Sequence, residues 1–397
     1  MNRTKAIIAL SVALSVLATT LILPILAPLI RELHLSVSQG GLMLSIGSVI
    51  MVIAAPLWGH VSDRYGRKAV IVSGFLGILT GYSLYTLAVL VGLSGTITVT
   101  AIFLALTASR AFVGAFLSAV PAGTQALMAD ITTVKDRAGG MAIIGAATGI
   151  GLIVGPAVSG LLVTGSITWP LFAAIALCAF GAVVAFFFLK LEQPASRPAA
   201  RKISLFSAAL QPWLVAGVLL WVAIATVQIS AGFYFQDSLG LGTDAAARML
   251  SVALTLVGAG MFFVQFLQAK LLRFPPRVLI LGGAAGWIAG LLLLLSTADA
   301  MSYYLAYALL GLGSGFLLPG VMAGASLAVG HDSQGVAAGL VSASQGIGFI
   351  IGPAVSTALY EWDRALPLWA LAGLMLLLVL KFAIVPLRLS QLGDAES

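Results

Sequence analysis

Charged side chains are scarce in this chain. Asp, Glu, Lys and Arg supply 8% of its 397 residues, hydrophobic residues supply 60%, and mean hydropathy is +1.11. Soluble domains carry about a quarter charged residues, so the chain reads as integral to a membrane. All thirteen acids lie in loops or at the ends of apolar runs, which leaves no carboxylate near a bilayer midplane. The histidines His34, His60 and His331 fall in separate loops, and the single cysteine, Cys178, sits in an apolar run. Such a set assembles no metal cluster, no nucleophile–base constellation and no intrachain disulfide. The strand alternation that builds membrane barrels is missing too.

Long apolar runs are what the chain has instead. A hydrocarbon core of about 30 Å needs roughly 20 apolar residues per helix, and bundled helices then satisfy the backbone internally. Twelve such runs lie near 6–30, 40–58, 69–92, 97–129, 138–163 and 168–189, then 211–235, 247–269, 278–296, 302–329, 335–359 and 366–387. The first is long and has no small-residue cleavage pattern before Arg31, so it is read as a span and not as a cleaved leader. With the N-terminus cytoplasmic, sixteen Lys and Arg residues fall on the inner side. Arg31, Arg248 and Arg364 fall outside, and Arg110 lies within a span. That bias satisfies the positive-inside rule and places both termini in the cytoplasm of a cell with the protein in its inner (plasma) membrane. The net charge of +7 is dispersed among short loops, which argues against nucleic-acid binding.

The chain repeats itself. GIGLIVGPAVSG at 149–160 returns at 346–357 as GIGFIIGPAVST, with nine of twelve positions identical. The longest polar stretch, 191–206, separates six spans from six. The expected division is a six-helix bundle at 1–190, a cytoplasmic linker at 191–210 and a second bundle with a short tail at 211–397. An even number of spans makes the halves parallel repeats about an axis along the membrane normal, which is a transporter architecture. The fold class is therefore an all-α membrane protein of twelve transmembrane helices in two parallel six-helix bundles.

Between spans 2 and 3, GHVSDRYGRK at 59–68 carries Gly59, Asp63, Arg64, Gly66, Arg67 and Lys68. This pattern resembles the loop signature of the major facilitator superfamily. The resemblance implies a gating network in which the acid at the end of span 4, Asp130, pairs with Arg67. The glycines are expected to make a tight turn. The matching segment of the second half, 271–280, keeps Arg273 and Arg277 but lacks the acid and the glycines. Two further stretches are similar to that family. LTASRAFVGA at 106–115 places a buried Arg110 before Gly114, and GLIVGPAVSG at 151–160 resembles the antiporter motif through Gly151, Gly155, Pro156 and Gly160. Ser159 stands where the motif has the first of its closing glycines. The small residues predict close packing of span 5, as a hinge against span 8.

Arg110 most needs explaining, because a cation in mid-span is expensive and functional by default. It is the leading residue for coupling or for substrate. Glu32, at the end of span 1, is the titratable alternative. Polar stripes at helical spacing fall on spans 1, 4, 7 and 10, which the family resemblance implies line a central path: Ser15 and Thr19 in span 1, then Gly114, Ser118 and Gln125 in span 4. Trp221 and Gln228 in span 7 and Tyr303, Tyr307 and Ser314 in span 10 complete the set. Each hydroxyl has a plainer use, bonding to its own helix backbone.

The resemblance implies a secondary transporter, not an enzyme, that exports an amphipathic small molecule by alternating access and is driven by the proton gradient. Multidrug or antibiotic efflux is the main expectation. A buried arginine without a buried acid favours a neutral or anionic substrate. The alternative is therefore export of an endogenous metabolite such as a siderophore, a sugar or an amino acid. A membrane receptor or membrane enzyme would need a soluble domain or a reactive constellation. The expected partners are substrate, protons as coupling ion and membrane lipids, with no other cofactor, and a monomer is the expected working unit.

Overall fold

The computed structural model of the chain describes residues 3–133, 136–189, 209–270, 274–329 and 334–384. Most of the expected linker, along with Arg273 and His331, lies outside these residues. Among the described residues every regular element is helical. In chain order the helices are α1 (Arg3–Thr20), α2 (Leu23–Glu32), α3 (Val37–Tyr65), α4 (Arg67–Leu93), α5 (Val99–Leu117), α6 (Ala119–Asp130), α7 (Arg137–Leu162) and α8 (Trp169–Phe188). They continue with α9 (Gln211–Leu239), α10 (Thr243–Lys270), α11 (Pro276–Ser296), α12 (Ala300–Leu327), α13 (Gln334–Trp362) and α14 (Leu366–Ile384). Twelve stretches are long and apolar enough to cross a membrane.

Two spans are broken helices. Span 1 is α1 followed by α2, which opens with Pro24 in its first turn and carries Pro28 inside. Span 4 is α5 followed by α6, joined at Ser118. Pro121 has no N–H, so the carbonyl four residues earlier loses its helical donor there. Span 2 is longer than expected. A capping box between Ser36 and Gln39 starts α3, and the helix runs on to Tyr65, so most of the Gly59–Lys68 segment is helical.

Glycines set the packing inside each half. Gly74, Gly77 and Gly81 of α4 lie against Val120, Phe116 and Val113 of span 4. Gly283, Gly286 and Gly290 of α11 lie against Gly313, Leu309 and Ala306 of α12. Side-chain bonds supplement these contacts: Trp58 Nε1 donates to the Ala115 carbonyl at 2.6 Å, and Trp287 Nε1 donates to Ser314 Oγ at 3.1 Å.

Compact packing does not follow chain order alone. One unit comprises Met1–Arg197 with Gln228–Thr255, and the other comprises Pro198–Val227 with Leu256–Ser397. Within the first unit, Gly232 of α9 abuts Ala27 and Pro28, and Gly160 of α7 abuts Ser251 of α10.

Candidate functional site

Arg67 organises the turn between spans 2 and 3. Gly66 ends α3 with φ 91°, ψ 156°, a backbone that side-chain-bearing residues rarely adopt. The next residue, Arg67, opens α4 and is 3% exposed. Its Nη1 donates to Asp63 Oδ1 at 2.6 Å and to Ser62 Oγ at 3.0 Å, and its Nε donates to Asp130 Oδ2 at 2.9 Å. A buried guanidinium held by two carboxylates from different helices ties the end of α6 to the α3–α4 turn. Arg67 Nη2 is also buried and finds no acceptor among the described residues.

The rest of the signature does not join this network. Arg64 lies over the Tyr65 ring at 5.4 Å and Lys68 over Phe186 at 5.3 Å. Gly59 sits inside α3 with open space where a Cβ would be, so the turn requires Gly66 and not Gly59.

Arg110 is half-buried in α5, 6.0 Å from the Tyr85 ring centroid and close enough to Tyr82 to interact with its hydroxyl. Among the described residues it forms no salt bridge. The stripe expected to line a path in span 4 divides among several neighbours. A Cβ on Gly114 would land on the Gly47 carbonyl oxygen of α3, so Gly114 is a helix contact. Ser118 Oγ is buried at the α5–α6 joint with no hydrogen-bond partner among the described residues, and Gln125 is exposed.

The other stripe residues divide in the same way. Thr19 donates to its own Val16 carbonyl at 2.8 Å, while Ser15 is buried. The Trp221 ring lies tilted against Phe349 with centroids 5.6 Å apart, and Gln228 is half-buried. Tyr303, Tyr307 and Ser314 are buried in α12. Ser314 donates to the Leu310 carbonyl at 2.8 Å while accepting from Trp287. Its role is packing of span 10 on span 9.

The antiporter stretch packs differently from expectation. Gly151 faces Val16 and Leu17, and a Cβ on Gly155 would land on Thr20 Oγ1, so both glycines press on span 1. Only Gly160 meets span 8, at Ser251. Thr20 donates to the Gly151 carbonyl at 2.9 Å, just before Pro156 in α7. Nothing in the local pattern distinguishes Thr20 from its neighbour Thr19. Glu32 is half-buried at the end of α2, but Arg31 beside it makes the ion pair, reaching Asp237 at 2.7 Å. The partners are 206 positions apart, so no local pattern pointed to the pair.

A family model described as Major Facilitator Superfamily matches residues 8–353, with a second match at 271–394. The chain belongs to the Major Facilitator Superfamily. Like other members of this superfamily it is a transporter and not an enzyme, and it is a multi-pass membrane protein. It is 25% identical over 377 residues to multidrug resistance protein 1 of Bacillus subtilis, covering 93% of this chain and 92% of that one. To the class C tetracycline resistance protein of Escherichia coli it is 27% identical, with 90% of each chain covered. Among solved structures, the nucleoside transporter NupG superposes with a TM-score of 0.76 at 14% identity, covering 96% of this chain and 99% of that one. That superposition establishes the major facilitator fold.

Proposed function

We propose that this transporter exports amphipathic small molecules by alternating access, driven by inward proton flow, and acts in multidrug or antibiotic efflux. The supporting observation is similarity, over nine-tenths of the chain, to proteins named for multidrug and tetracycline resistance. The Asp63–Arg67–Asp130 network suits a gate on the cytoplasmic side, because the buried Arg67 guanidinium joins α3, α4 and α6 through charge-assisted bonds that depend on their present spacing. Protons are the coupling ion. Arg110 is the leading coupling group, since its guanidinium meets aromatic rings and no carboxylate in a span. Coupling through Glu32 is the weaker option. In this reading the termini are cytoplasmic and a single chain is the transporting unit.

Everted vesicles carrying the protein, loaded against a panel of amphipathic cations and neutral drugs, test the proposal. Accumulation should follow the imposed pH gradient and collapse with a protonophore. Gradient-independent accumulation would remove proton coupling. One observation favours a second reading: Arg110 has no acid partner among the described residues, which suits an anionic substrate such as a carboxylate-bearing endogenous metabolite. Gradient-driven flux of anions with none of the drug panel would select it.

A further inference from the structure

We propose that the end of span 6 on the Gly59–Lys68 side is a binding site for an anionic phospholipid, whose phosphates are held by Arg3 and Lys68. Three helix ends meet there: α8 ends at Phe188, α1 starts at Arg3, and α4 starts at Arg67. Helix α8 packs on both α1 and α4. The Arg3 guanidinium lies 5.7 Å from the Phe188 ring centroid, and Lys68 Nζ lies 5.3 Å from that of Phe186. Residues two apart on a helix point to nearly opposite sides, so the cations flank the last turn of α8.

Neither cation has a carboxylate partner among the described residues. Among the described residues, the acids beside this turn, Asp63 and Asp130, are engaged by Arg67. The free carbonyls at the end of α8 offer only the partial negative charge of a helix terminus, which attracts a cation without neutralising it. Beneath the two charges lie Phe186, Phe187 and Phe188, exposed by 56%, 70% and 49%. In a membrane these rings meet acyl chains. Cations at the interface above an exposed apolar band match the order of an anionic lipid, phosphate above and chains below. With the cations on both flanks of one helix, a two-phosphate lipid such as cardiolipin fits better than phosphatidylglycerol.

The second half supplies an internal contrast. Lys68 is the second residue of α4, and Arg277 is the second residue of α11. Arg277 spends its donors on the chain itself, bonding the Phe382 and Ala383 carbonyls at the end of α14 at 2.6 and 2.7 Å. At the corresponding corner of the first half, no carboxylate or carbonyl among the described residues takes up Arg3 or Lys68.

Thermal unfolding of the detergent-purified full chain, titrated with cardiolipin, phosphatidylglycerol, phosphatidylcholine or inorganic phosphate, tests the site without assaying transport. Cardiolipin should raise Tm most and phosphatidylcholine least. The double variant Arg3→Gln with Lys68→Gln should need roughly thirtyfold more cardiolipin for half the effect, at about fivefold per lost charge. Arg64→Gln, which removes an exposed cation from the same side, should stay within about twofold. An unchanged cardiolipin titration in the double variant overturns the proposal. So does equal protection of the wild type by phosphatidylcholine or by phosphate alone. If the double variant does not fold, the wild-type lipid series together with Lys68→Arg, which should retain the cardiolipin preference, still decides.

Discussion

Spans 3 and 4 and spans 9 and 10 are two versions of one contact. The glycines at 74, 77 and 81 recur 209 residues later at 283, 286 and 290, and each set lies against the next span of its own half. Their partners Val113, Phe116 and Val120 correspond to Ala306, Leu309 and Gly313, a constant offset of 193. The same offset sets Arg110 against Tyr303, and the glycine offset sets Tyr82 and Tyr85 against Leu291 and Leu294. Backbone approach is thus shared between the halves, while the mid-span charge and the rings beside it occur in the first half only. The turns before these spans differ in the same sense. Arg67 opens α4 inside a network of two acids, whereas Pro276 opens α11 with no N–H and no charge, leaving Arg277 to cap α14. Small residues at helix contacts serve packing and suit both halves. Charges serve a task and need be present only once.

The largest effect should come from the turn. Asp63→Asn removes a charge without changing volume, and it leaves the buried Arg67 with Asp130 as its single acid. Flux should fall roughly tenfold or more, a barrier change of about 1.4 kcal/mol, with membrane expression largely kept. Arg277→Gln at the matching turn should leave flux near wild type. Equal loss in both variants would show that the two turns serve folding alike and would end the gating assignment.

Next in size is the antiporter stretch against its repeat. Gly155 presses on Thr20 of span 1, and Gly352, 197 residues on, presses on span 7, where an added Cβ would come within 2.8 Å of Ala225. Leucine at either place overpacks a helix contact, at a cost of about 1–3 kcal/mol. Gly155→Leu should uncouple or leak, while Gly352→Leu should mainly lower stability. The smaller Gly155→Ala should be partly rescued by Thr20→Ala, which removes the hydroxyl its Cβ would meet. Coupled transport in Gly155→Leu equal to wild type would reduce the motif to ordinary helix sequence.

How far the sequence showed all this depends on the range of each interaction. Twelve spans, their approximate limits and the turn at Gly59–Lys68 follow from composition and short motifs, because insertion into lipid is decided span by span. The pairing of Asp130 with Arg67 was legible through family resemblance. Which side of a glycine helix meets which neighbour is not legible in this way: the motif points span 5 at span 8, whereas Gly151 and Gly155 lie on span 1. Polar stripes have a second use for a related reason: Thr19 and Ser314 bond backbone within their own helices, a local option open to every hydroxyl in a span. The Arg31–Asp237 pair depends on how distant spans approach, which periodicity does not record.

Arg110→Lys should have an intermediate effect and divides the substrate readings. Lysine keeps a point charge and loses the planar fork and its stacking on Tyr85. For a coupling role, equilibrium binding of substrate should stay within about threefold while gradient-driven accumulation fails. A direct role in binding an anion predicts the reverse split, with affinity lost more than turnover. Tyr303→Phe, at the corresponding place in the second half, should leave both assays near wild type. Wild-type values for Arg110→Lys in both assays would remove this residue from the mechanism and leave the charge asymmetry without a function.

The smallest expected effect lies at the C-terminal cap. Arg277 donates from Nε and Nη2 to the last carbonyls of α14, groups that a helix end otherwise leaves to solvent. Part of that surface is exposed, so the two charge-assisted bonds together should contribute only about 1–2 kcal/mol. Arg277→Gln should lower Tm by roughly 2–4 °C, and Arg277→Lys, which can satisfy one carbonyl at a time, should fall between. Lys68→Gln at the equivalent place should barely change Tm in lipid-free detergent, because among the described residues Lys68 caps no carbonyl and its ammonium lies over the Phe186 ring. Equal destabilisation by the two glutamine variants under those conditions would mean that both cations serve the ends of their neighbouring helices. In that case the second residue of spans 3 and 9 would have the same structural duty, and the asymmetry would be confined to Arg67 and Arg110.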